Sequence, residues 1–380
     1  MDNINKEFIK NADACYQLAE QRAVEYFQSL YDQVMGKTYV PPLTKDLLSW
    51  KHNHIHYSLL SFFYRRKRKT DSEGYYNYIQ WLDSTDKLDP YLERSISYLF
   101  MRDLGKALDS PDTVSRIRRV VDNLKNQLTH SSTTNTELFS LDRLYRLAQK
   151  EGIESTIIWV VNKLKSVSSH IPKGMDADHA QRKLIKIIAG VLMHEVEEMG
   201  AEVSRKERIK RLDKAIRLGY SYGLTYPFID DLLDTEVLST KEKKQYSDLI
   251  RTTLITGSVP KLGKWTGKNL NLIRYVHSEL RDAFEYMKAH QGPQTRKNFF
   301  EQAYVFFHSQ EVDRVKDLSN ANYTNVELYI PIILKSSYSR LIVRSVLSAP
   351  FDEGFDNRTF FYGIYNQLAD DFADMFDDMN

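Results

Sequence analysis

The chain has 380 residues, 42% hydrophobic and 27% charged, an ordinary globular composition that excludes a disordered chain. Basic and acidic residues nearly balance at a net charge of +2, so no global field argues for a nucleic-acid partner. With only 15 Gly and 10 Pro, turn residues are sparse, which favours long helices over a strand-rich fold. The single Cys15 can form no internal disulfide and fits a reducing compartment. The opening stretch MDNINKEFIKNADACYQLAEQ has no apolar core behind a basic flank, so it is not a secretory signal. No apolar run reaches the length of about 18 residues that would span a membrane. The expected location is cytoplasmic.

In chain order, residues 14–34 place Leu18, Ala19, Ala23, Tyr26, Phe27, Leu30 and Tyr31 three and four apart, the spacing of a helix with one apolar face. KHNHIHY then supplies His52 and His56 at i, i+4, with His54 between them. No Cys or acidic neighbour completes a four-coordinate zinc site, so a polar helix face is the better reading. The run YRRKRKTDSE holds Arg65, Arg66, Lys67, Arg68 and Lys69. It reads as a solvated helix end or loop, or else as a patch for peripheral contact with an anionic membrane.

The polar cluster THSSTTNTE, 129–137, is a loop signal and a candidate boundary. It divides an N-terminal helical extension, 1–130, of unassigned role from a second domain over 140–380. Helical spacing returns at 138–149, 155–168, 182–199, 207–226, 270–289, 298–316 and 326–348. The breaks between these runs carry Gly, Pro and polar residues, as in HIPKGMDADHA, where Asp176 or Asp178 is placed to cap the next helix. HEVEEMG, 194–200, lacks the second His of a zinc-protease helix, so Glu195 and Glu198 read as helix-surface acids. Strand-like alternation is sustained nowhere, and the expected fold class is all-α.

Two acidic elements stand out. YPFIDDLLDTEV carries Asp230, Asp231 and Asp234, and YGIYNQLADDFADMFDD carries Asp370, Asp371 and Asp374 at the same spacing. On a helix, i and i+4 share a face and i+1 lies about 100° away, so each set gathers like charges that repel when unpaired. One such cluster reads as a solvated acidic face. Two copies in apolar helical surroundings point to a divalent cation, and Mg2+ prefers hard carboxylate oxygens shared with substrate phosphates.

The two elements resemble the aspartate-rich motifs of the trans-prenyl diphosphate synthases, within the class I isoprenoid synthase superfamily. The second is the closer match, since Gly363, Gln367, Asp370, Asp371 and Asp374 fill every position of Gly-x-x-x-Gln-x-x-Asp-Asp-x-x-Asp. The resemblance covers 140–380 and implies a helical bundle of the isoprenoid synthase type that holds several Mg2+ ions between two facing helices. It implies the six aspartates as metal ligands and Lys335, followed by Ser336 where the family has Thr, as the lysine on the allylic diphosphate. Gln367 joins Lys335 as a catalytic position of the motif. Arg182 and Lys183, in AQRKLIKIIAG with Lys186, stand where the family binds the homoallylic diphosphate, although the family's glycine is absent. Thr225 and Tyr226, just before Asp230, mark the channel for the growing product tail.

The implied reaction ionises an allylic diphosphate and transfers the prenyl group to isopentenyl diphosphate. Three departures stand against the pattern. The arginine pair after the first motif is replaced by Lys241, Lys243 and Lys244, point charges without the guanidinium fork. Residues 1–130 lie outside the resemblance. The sequence stops six residues after Asp374, where the family continues. A terpene cyclase of the same fold and a non-catalytic or partner-completed subunit therefore remain as alternatives. The expected assembly is a homo-oligomer or a chain completed by a partner. The stretch LGYSYGLTYPFIDDLLD also resembles the second motif locally, with Pro227 where that motif has Gln. It is assigned as the first because of its distance from Asp370 and the position of Lys335.

Overall fold

The computed structural model describes residue 9 and residues 11–36, 79–102, 107–130, 141–200, 202–317, 319, 322–346 and 354–378. The His52, His54 and His56 run and the basic run at 65–69 lie outside the described residues. Among the described residues there is no strand, so the chain is all-α. Among them, too, no helix is long and apolar enough to cross a membrane.

In order, the helices are α1 (Ala12–Met35), α2 (Leu88–Arg102), α3 (Pro111–His130), α4 (Leu141–Glu151), α5 (Glu154–His170), α6 (Ala177–Glu197) and α7 (Arg205–Gly223). A π-helical turn (Tyr226–Asp231) runs on helically through Asp234. Then come α8 (Thr240–Thr256), α9 (Leu270–His290), α10 (Pro293–Arg314), α11 (Asn325–Val346) and α12 (Phe355–Asp378). The chain divides into two compact units, one of residues 1–20, 101–106 and 139–380, the other of 21–100 and 107–138.

In the smaller unit, α3 turns Thr113, Ile117 and Val121 inward at helical spacing. Lys125 of α3 reaches Asp89 of α2 at 2.8 Å and Asp83 at 3.4 Å. These groups are largely exposed, and such pairs add little to stability.

The larger unit is held at its helix starts by side-chain caps. Asp176 accepts from the His179 N–H to begin α6, and Ser204 accepts from the Glu207 N–H to begin α7. Ser239 and Glu242 form a reciprocal capping box at the start of α8. Helix α7 is buried along most of its second half, Leu212, Ala215, Ile216, Leu218, Tyr220 and Tyr222 among its core residues. Its buried polar groups are paired. Tyr220 donates to Glu279 of α9 at 2.9 Å, and Lys163 of α5 holds both oxygens of that carboxylate at 2.8 and 2.9 Å. Glu195, expected on the surface, is buried in α6 and paired with Arg211 of α7. A buried carboxylate persists only with such a partner, and the local pattern of HEVEEMG gives no sign of one 16 positions ahead on the next helix.

Two close helix approaches set the geometry of the site. A Cβ built on Gly219 of α7 would lie 2.9 Å from the Ile188 Cα, so α6 and α7 meet backbone to backbone. A Cβ on Gly363 of α12 would lie 2.4 Å from the Ser337 Cα of α11. Beside it, the Ser336 hydroxyl donates to the Gly363 carbonyl at 2.6 Å and the Ser337 hydroxyl to the Phe360 carbonyl at 3.0 Å. The motif glycine is therefore also a packing glycine, and it fixes α12 against the turn of α11 that carries Lys335.

Candidate functional site

Helix α7 stops where Pro227 approaches. Proline has no N–H to give to the carbonyl one turn earlier, at Gly223, which is the last residue of α7. The chain continues as the wider π turn, a form that recurs at functional sites. The turn's loosened carbonyls find outside partners. The fully buried Tyr246 of α8 donates to the Phe228 carbonyl, and Arg314 Nη2 donates to the Asp230 carbonyl at 3.3 Å.

The three aspartates of this element differ in depth. Asp230 is 8% exposed, Asp231 is half-buried and Asp234 is exposed. Three helices converge on them. From α6, the Lys183 ammonium lies 3.0 Å from Asp231 Oδ1. From α11, Lys335 Nζ lies 3.8 Å from Asp230 Oδ1. The end of α10 contributes Arg314, whose Nε donates to Asp234 while its Nη2 lies 3.7 Å from Asp230 Oδ1. One turn earlier on α10, Gln310 is 1% exposed and donates its amide to Asp230 Oδ1.

Burial pushes the Asp230 carboxyl above the ordinary Asp range; Lys335 pulls it back, and the charges of Asp234 and Asp231 push it up again. Each aspartate thus has a resident cation, yet the innermost is still under-compensated.

The structure brings together Asp230, Asp231, Asp234, Lys183 and Lys335, five of the residues singled out from the sequence. Arg182 lies elsewhere. It is exposed and acts electrostatically on Asp176 at the start of α6. Successive residues of a helix point about 100° apart, so Arg182 and Lys183 cannot both face the turn. Lys241 and Lys244 are exposed on α8, and Lys243 is half-buried there. Thr225 is buried, with its hydroxyl donated to the Tyr222 carbonyl at 2.7 Å. The backbone of Tyr226 opens the π turn, but its side chain lies outside the described residues. Gln367 is half-buried on α12. Asp370, Asp371 and Asp374 continue that helix, and their side chains lie outside the described residues.

Sequence reasoning missed Gln310 and Arg314. Both sit on α10, far along the chain from the aspartates they touch. The available signal was weak: Ser309 and Gln310 are polar residues closing the buried aromatic run YVFFH, and Arg314 follows Gln310 at i+4.

Among the described residues, no group of three or more His, Cys, Asp and Glu is arranged to hold a metal ion unaided. The donor chemistry nevertheless suits Mg2+. It consists of hard carboxylate oxygens together with Gln310 Oε1, which is buried without a hydrogen-bond partner.

Searches with this chain against family models, curated proteins and solved structures found no match.

Proposed function

We propose that this chain is a Mg2+-dependent prenyltransferase of the isoprenoid synthase type, which ionises an allylic diphosphate and condenses it with isopentenyl diphosphate. The observation that carries this reading is the meeting of Lys335 with Asp230 at 3.8 Å. The resemblance assigns one as the diphosphate lysine and the other as a metal ligand, on segments far apart in the chain.

In this reading Asp230, Asp231, Asp234, Asp370, Asp371 and Asp374 would hold Mg2+. When bound, Mg2+ supplies Lewis-acid stabilisation of the charge that develops on departing pyrophosphate. Lys335 orients the diphosphate and neutralises part of that charge, and Lys183 adds a second cation from α6. Gln367 stands one turn before Asp370 on the helix that Gly363 fixes against Lys335's turn. Thr225, its hydroxyl already paired, offers no unmet donor to an apolar prenyl tail.

The test is incubation with labelled allylic diphosphate and Mg2+, with and without isopentenyl diphosphate. Longer diphosphates, formed only with both substrates, are the expected products. Hydrocarbons from the allylic substrate alone would make the protein a cyclase, and no turnover under either condition would overturn the enzyme reading.

A further inference from the structure

The aspartates of the π turn already have counter-ions, and Arg314 differs in kind from the other two. Lys183 and Lys335 are point charges, paired with Asp231 and Asp230 respectively. Arg314 is a planar fork that spans Asp234 and Asp230, which lie one turn apart, and also takes the Asp230 carbonyl. It is the last residue of α10, where the helix dipole favours a cation, and its side chain is only partly buried. Its side chain is 25% exposed, whereas Gln310 one turn earlier is 1% exposed. A cation entering between Asp230 and Asp234 must take the oxygens that Arg314 now holds. A diphosphate arriving with that cation offers the displaced guanidinium a bidentate partner in exchange.

We infer that Arg314 is a gatekeeping counter-ion that ties metal binding to the arrival of a diphosphate. The inference rests on the metal–diphosphate reading of the site. With Arg314 in place, a divalent cation alone competes against a preformed ion pair. With diphosphate present, the guanidinium moves to the phosphate oxygens and the competition disappears. The site is thereby kept from filling with metal before substrate.

The experiment is calorimetric titration of the full chain with Mn2+ alone, and with pyrophosphate at fixed Mn2+, for wild type, Arg314→Gln and Arg314→Lys. Arg314→Gln should bind Mn2+ alone about tenfold more tightly than wild type, with the coupling between Mn2+ and pyrophosphate reduced by a similar factor. Arg314→Lys, which keeps the charge but not the fork, should fall between them and guards against a folding defect in the glutamine variant. Equal Mn2+ affinity in all three proteins, with pyrophosphate binding intact, would overturn the role of Arg314 and leave the site reading standing. Absence of both Mn2+ and pyrophosphate binding in wild type and variants alike would overturn both.

Discussion

Asp230 and Glu242 are buried carboxylates in adjoining stretches of the same unit, and they are treated in opposite ways. Glu242 accepts from the Ser239 N–H at 3.0 Å and hydroxyl at 2.9 Å, from Trp265 at 3.2 Å, and from the Asn269 N–H at 3.0 Å. Burial pushes its carboxyl up, but the bonds from Asn269, Ser239 and Trp265 outweigh that and bring it from 4.5 down to about 2. Asp230 has one amide donor, cations at 3.7 and 3.8 Å, and two like charges beside it, and its carboxyl is held above the ordinary range. A carboxylate that holds a fold together is saturated with donors. On the proposed reading, Asp230 is left short of them because it is kept for a ligand, and the fold bears the cost.

The largest expected effect is on Glu242. Glu242→Ala strips the acceptor from the α8 cap and from the 264–269 segment at once, and should lower stability by about 3 kcal/mol in denaturant unfolding. An effect within the noise of a surface mutation would break the comparison on its structural side.

Asp230→Asn should do the reverse. It should abolish turnover while raising stability by about 1 kcal/mol, because it removes a charge the fold disfavours. Asp370→Asn should abolish turnover as well.

The two groups also have opposite pH signatures. The Glu242 carboxyl is depressed, so its contribution is fully present above its unfolded value of 4.5 and is lost as pH falls toward about 2. The Asp230 carboxyl is raised, so its penalty applies at high pH and is relieved as pH falls through its folded pKa. The stability gap between wild type and Glu242→Gln should therefore narrow in acid. The gap between Asp230→Asn and wild type should narrow too, with the opposite sign. Parallel profiles in the two mutants would show that the carboxylates are not differently held.

A smaller effect is expected at Lys335. Lys335→Ala should lower kcat/KM for the allylic substrate about a hundredfold, with partial recovery in Lys335→Arg. The smallest concerns Tyr226→Ala, which should keep activity and shift the products toward longer chains. An unchanged chain-length distribution by chromatography would remove Tyr226 from the channel.

Much of the fold was legible because apolar spacing is a local signal. The helical runs at 155–168 and 270–289 lie within α5 and α9, and the cap at Asp176 follows from its own hydrogen-bonding chemistry. Helices α2, α3 and α8 lie outside the runs singled out by spacing. In the site, Lys183 and Lys335 were legible only through the motif resemblance. Arg314 and Gln310 were not legible, because their partners are brought to them by tertiary packing. The π turn hides as well. Its sequence signal is Pro227 alone, and a proline there announces only that α7 must end.

The central claim is that the Asp230 cluster is a metal–diphosphate site, and thermal unfolding tests it most directly. Wild type should be stabilised by Mg2+ and pyrophosphate together, by about 2.7 kcal/mol at a hundredfold excess over Kd, and little by either alone. Asp230→Asn should lose that response. An unchanged melting temperature with both present, or an equal rise in Asp230→Asn, would contradict the account.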